Sequence, residues 1–189
     1  MKATYLWAAK LISTVLGLMP LASSAFQYSP ETQQIVSNYE SAQRQYCGGV
    51  EPNQFNEMAA EMGLETDSKA FFGRYNQCVE HIYPLLKSLV EQAEVALACS
   101  EAQGEFQLAY RSELPEMRSH LSQVMPNHRL LVSLTDHMKE PHQINVADEA
   151  EAAHWSKVND AFFASNIPLF HVTTWIGYIY FEQDCGYSG

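Results

Sequence analysis

The sequence predicts an all-α fold: one domain built as a bundle of five to seven helices and stapled by two disulfides. Three observations carry that prediction. Apolar residues recur at steps of three or four from about residue 30 to residue 165, the period of helices that bury one face. The breaks between those stripes hold Gly48-Gly49, Gly63, Gly104 and Pro141, residues that end helices. All four cysteines, Cys47, Cys78, Cys99 and Cys185, follow an N-terminal segment patterned for export, and an even number there argues for disulfides.

In that segment Lys2 and Lys10 precede the apolar run Leu11-Ile12-Ser13-Thr14-Val15-Leu16-Gly17-Leu18-Met19, which Pro20 stops and Ala22-Ser23-Ser24-Ala25 follows. This is the order of a secretory signal peptide, with Ser23 and Ala25 at the small-residue positions before a cut at Phe26. The run is shorter than the roughly 20 residues a spanning helix takes. Cleavage of residues 1–25 is therefore expected to leave 26–189 as a single helical domain, without a membrane span, in the periplasm or secreted.

Taking the elements in order, Pro30 to Tyr46 carries Ile35, Val36, Tyr39, Ala42 and Tyr46 on one helical face and stops at Cys47-Gly48-Gly49. A short helix is expected over 52–62, with Pro52 in its first turn and Gly63 past its end. The clearest stripe is Phe71, Tyr75, Cys78, Ile82, Leu85, Leu89, Ala93, Ala96 and Cys99; it predicts a long helix capped by Asp67 and kinked at Pro84. After Gly104 the stripe resumes as Phe106, Tyr110, Leu114, Met117, Leu121 and Met125, interrupted at Pro115 and closing at Pro126. Asn127 then reads as the N-cap of a further helix with Leu130, Leu131, Leu134 and Met138, ending before Pro141.

Asp148, Glu149 and Glu151 suit the first turns of a helix over about 147–165, with Val158 and Phe162 inside. The last segment, 168–183, admits two readings. Pro168 can open a helix through Leu169, Val172, Ile176, Ile179 and Tyr180, whereas Val172-Thr173-Thr174-Trp175 and Tyr178-Ile179-Tyr180-Phe181 also read as β. Helix is preferred.

Helix geometry sorts the cysteines. Cys78 and Cys99 share one stripe at a separation of about 30 Å, far beyond the roughly 4.4 to 6.8 Å between the Cα atoms of bonded cysteines. A short helix descending from Cys47 and the first turns of the long helix climbing back would bring Cys47 level with Cys78. The expected pairs are Cys47–Cys78 and Cys99–Cys185, both structural.

Charge and motifs bound the function. The formal net charge of −11 falls to −13 when Lys2 and Lys10 leave with the leader, which disfavours nucleic acid and anionic membranes. There is no C-x-x-C, no glycine-rich phosphate loop and no G-x-S-x-G. Glu151 and His154 lie three apart on one helix face, and His137 and Glu140 mirror that spacing across the loop before them. In an antiparallel hairpin these four would offer imidazole and carboxylate ligands to a transition metal. Against that, a di-iron bundle needs a second Glu-x-x-His motif, and Glu151 in a first helical turn is also explained by the helix dipole.

The aromatic C-terminus, with Trp175, Tyr178 and Phe181, reads either as core or as a partner-binding face. The leading expectation is an exported protein that acts by binding another protein or a ligand, as an adaptor, inhibitor or neutraliser, rather than by catalysis. A metal-dependent protein using the His/Glu cluster is the first alternative, and an enzyme whose residues only the fold brings together is the second.

Overall fold

A computed structural model of the chain describes residues 28–48, 55, 68–99, 105–136 and 148–180. They form four helices: α1 (Pro30–Tyr46), α2 (Ser68–Cys99), α3 (Glu105–Thr135) and α4 (Glu149–Tyr180). At 1.5 Å per residue, α2, α3 and α4 each run about 48 Å.

Cross-helix pairs fix their directions. Thr32 Oγ1 donates to Gln92 Oε1 at 2.6 Å while Cys47 is bonded to Cys78, so α1 and α2 are antiparallel. Asn76 faces Thr135 and Arg118 faces Glu94, making α2 and α3 antiparallel. Asn127 meets Ala164 and His120 meets His171, so α3 and α4 are antiparallel too. Tyr75 reaches Ser165 and Tyr180 reaches Leu89, which sets α2 parallel to α4. The result is an up-down-up-down bundle.

The core follows from a repeat of 3.5 residues. In α3 the buried positions are Leu114, Met117, Leu121, Val124, His128, Leu131 and Thr135, alternating steps of three and four without a break. In α2 the same alternation runs Phe72, Tyr75, Val79, Ile82, Leu86, Leu89, Ala93 and Ala96. Leu86 takes the inward place expected of Leu85, which packs against the core only in part. In α4 the seam is Val158, Phe162, Ser165, Leu169, Val172, Ile176 and Ile179, flanked by Ala161, Pro168 and Trp175 on one side and Asn166, Thr173 and Tyr180 on the other. Burial over so wide an arc explains why this segment is apolar on more than one face.

α1 begins as its sequence directs. Ser29 Oγ accepts the Thr32 N–H at 3.1 Å, Pro30 follows in the first turn, and Gly48 past the end adopts φ 71°, a left-handed conformation that a side chain would strain. Asp148 caps α4, its Oδ1 accepting from the N–H groups of Ala150 and Glu151. The helix therefore starts at Glu149 rather than at 147.

Four helices stand where five to seven were expected. The short helix expected over 52–62 lies outside the described residues apart from Phe55, as does the Asp67 cap. The other difference is a correction: 105–135 and 149–180 are each one helix, and Pro126, Pro168 and Asn127 are interior residues rather than helix ends. A proline removes one hydrogen bond and leaves the carbonyl four residues earlier without its donor. For Pro84, Pro115 and Pro126 those carbonyls belong to Glu80, Arg111 and Ser122, all exposed residues, where water can take the bond. Pro168 itself is buried, and the carbonyl it frees is that of Ala164, again an exposed residue. Asn127 Nδ2 donates to that oxygen at 3.1 Å from the neighbouring helix.

The strand alternative for 168–183 is overturned as far as Tyr180, because the β-branched residues Val172, Ile176 and Ile179 fall on one helical seam. One disulfide, Cys47–Cys78, stands among the described residues, with Cα atoms 4.6 Å apart, against the two expected. Cys185 and the side chain of Cys99 lie outside those residues. Among the described residues no helix is long and apolar enough to cross a membrane.

Candidate functional site

The two ends of the bundle differ. Near the start of α4 the interior is filled by rings: Phe162 lies edge-on to Tyr75 at 4.9 Å, to Phe71 at 5.6 Å and to Phe72 at 5.9 Å, and Phe55 covers Tyr75. Here Tyr75 donates to Ser165 Oγ at 3.0 Å, and burial pushes its hydroxyl far above the ordinary tyrosine value, so it stays a protonated donor. His128 is buried beside that ring with no partner for Nε2 among the described residues. Desolvation lowers its pKa, and the charge of Glu80 opposes this only in part. These groups are buried among the interlocking rings.

At the other end of α4, Tyr28 donates to the Ile179 carbonyl and Tyr180 to the Leu89 carbonyl, tying the helix end to the segment before α1 and to α2. Burial raises the Tyr28 hydroxyl to about 12 and the Tyr180 hydroxyl further still.

Between the first half of α3 and the second half of α4 a cleft of about 350 Å³ opens to solvent. Helical spacing builds its walls: Tyr110, Glu113 and Met117 stand at i, i+3 and i+7 on α3, and His171, Thr174, Trp175 and Tyr178 at i, i+3, i+4 and i+7 on α4. Glu116 and Phe170 complete it. Tyr110 and Tyr178 lean together across the mouth, with ring centroids 5.8 Å apart and planes tilted by 34°. Trp175 is 3% exposed, and its indole N–H has no acceptor among the described residues.

Among the described residues the charged lining groups are both acids, and neither Lys nor Arg lines the cleft. Glu116 is shared: its Oε1 lies 3.4 Å from His120 Nε2, and His120 stacks on His171 with centroids 4.8 Å apart and planes 13° from parallel. Glu113 is half-buried and has no ion-pair or hydrogen-bond partner among the described residues. The volume lies at the lower end of the roughly 300 to 1,000 Å³ of small-molecule sites.

Of the residues singled out in the sequence, Trp175 and Tyr178 both line the cleft, the first buried and the second on the rim at 38% exposure. Phe181 lies outside the described residues, as do His137 and Glu140. Glu151 and His154 stand in the first two turns of α4, half-buried and exposed respectively. Among the described residues no group of three or more His, Cys, Asp or Glu side chains is placed to hold a metal ion.

Sequence reading missed Glu113, Glu116, Phe170, His171 and Thr174 as site residues. Their signal is the register between α3 and α4, which appears only once each is read as one continuous helix. No family model, curated protein or solved structure matches the chain.

Proposed function

We propose that the chain is an exported binding protein whose site is the cleft between α3 and α4, and that this site takes a small ligand rather than a flat protein surface. One observation carries the reading: a cleft of about 350 Å³ that opens to solvent between two long helices and is walled by Tyr110, Phe170, Trp175 and Tyr178. The patterned leader and the Cys47–Cys78 bond support an oxidising compartment.

The test is a fragment screen by NMR on the oxidised protein, with and without Trp175→Phe. Binders are expected to shift resonances of residues 110–117 and 170–178, and Trp175→Phe, which shrinks the aromatic wall, is expected to weaken them. Binders that perturb only other surfaces, or none at any fragment concentration reached, would overturn the assignment of the site.

A further inference from the structure

Resting on that reading of the cleft, we infer that its ligand class is an organic ammonium ion, quaternary or protonated. Tyr110, Phe170, Trp175 and Tyr178 present π systems around one small volume, and aromatic faces attract cations through their quadrupoles. The cleft's formal charges are carboxylates, so an anionic ligand would enter against both the local charge and a net charge of −11.

Within the pair of acids Glu113 is the counter-ion. Glu116 already has His120 against it, whereas Glu113 is half-buried with no cation opposite it among the described residues. A partly desolvated carboxylate left alone is poorly served by its surroundings, and an incoming ammonium group would complete it. The volume, about a dozen water-sized groups, fits a molecule of that kind and excludes a folded peptide segment.

Choline, tetramethylammonium, 3,3-dimethylbutan-1-ol and 3,3-dimethylbutanoate separate the terms, because the alcohol is choline with carbon in place of the charged nitrogen. Titration of the oxidised full chain, followed by calorimetry and by the fluorescence of Trp175 in a Trp7→Phe, Trp155→Phe background, is expected to rank choline and tetramethylammonium first. The alcohol should bind about tenfold more weakly and the carboxylate not measurably. Glu113→Gln should weaken choline by about tenfold and leave the alcohol unchanged, with thermal unfolding of the variant confirming that it is folded.

Equal affinity for choline and the alcohol, or a preference for the carboxylate, would overturn the cation class while leaving the cleft as the binding site. No binding by any of the four probes would overturn the cation class outright. If the fragment screen also left residues 110–117 and 170–178 unshifted, the reading of the cleft would fall with it.

Discussion

Asn127 is the side chain on which the continuity of α4 most directly depends. Its Nδ2 donates to two carbonyls, Gln123 O at 2.9 Å in its own helix and Ala164 O at 3.1 Å in α4. The two bonds are not equivalent. Gln123 O also has the backbone N–H of residue 127 as its regular helical donor, so losing the amide costs it little. Ala164 O has no regular donor, because residue 168 is proline. Ala164 is an exposed residue, so in Asn127→Ala water can take the freed carbonyl; the loss is that of one net hydrogen bond, about 0.5–1.5 kcal/mol, less about 0.5 kcal/mol recovered through the better helix propensity of alanine. The net loss should be about 1 kcal/mol or less. Pro168→Ala restores the N–H, and in that background Asn127→Ala should be neutral or slightly stabilising. A double-mutant cycle by urea denaturation is thus expected to give a coupling of about 1 kcal/mol. Strict additivity, within about 0.5 kcal/mol, would refute the claim that Asn127 replaces the hydrogen bond that Pro168 removes.

Two further outcomes follow from the same structure. Replacing Cys47 and Cys78 by serine opens a loop spanning a sequence separation of 31, which chain-entropy arguments value at about 3.7 kcal/mol. Thermal unfolding should shift down by about 7 to 15 °C, and a shift under about 3 °C would contradict a folded state stapled at that point. Buried His128, whose folded pKa lies below its unfolded value near 6.5, is neutral in the native state. Its contribution is full above that pH and is lost as pH falls through the unfolded value toward the folded one, with a slope of at most about 1.4 kcal/mol per pH unit. His128→Leu should flatten the stability profile in that window, and an unchanged profile would place the acid sensitivity elsewhere.

How much of this was legible in the sequence depended on proline. α1 could be read to the residue at both ends, because Ser29-Pro30 and Cys47-Gly48 are local signals that nothing in the tertiary structure contests. Pro126 and Pro168 are equally strong local signals, and there the fold overrode them. A single missing bond costs about 3 kcal/mol, whereas a helix about 48 Å long buries a seam along its whole length. The seam of α3 was visible in principle as an unbroken alternation of threes and fours from Leu114 to Thr135. His128 and Thr135, polar residues on the inner face, obscured it. With α3 and α4 each divided in two, their register was out of reach, and the cleft went with it. Trp175 and Tyr178, which line the cleft, stand out in the sequence because aromatic residues are conspicuous; Glu113 and Glu116 look like any other acids in so acidic a chain.

The contrast between the two ends of α4 bears on why the cleft is read as a site and not as loosely packed core. Both ends are rich in rings. At Phe162 they interlock around hydroxyls that are paired, Tyr75 with Ser165. At Trp175 the ring is as deeply buried, its N–H has no acceptor among the described residues, and the rings around it border solvent. Phenylalanine at 175 would bury a comparable apolar face without that unpaired donor. An unpaired buried nitrogen is not by itself what distinguishes the two places, since His128 Nε2 is unpartnered beside Tyr75 as well; the solvent-open cleft next to Trp175 is. Trp175→Phe is the decisive substitution for that reason: a purely structural tryptophan should lose stability on truncation to the smaller ring, whereas a ligand-binding one should leave the free protein as stable or more so while binding weakens.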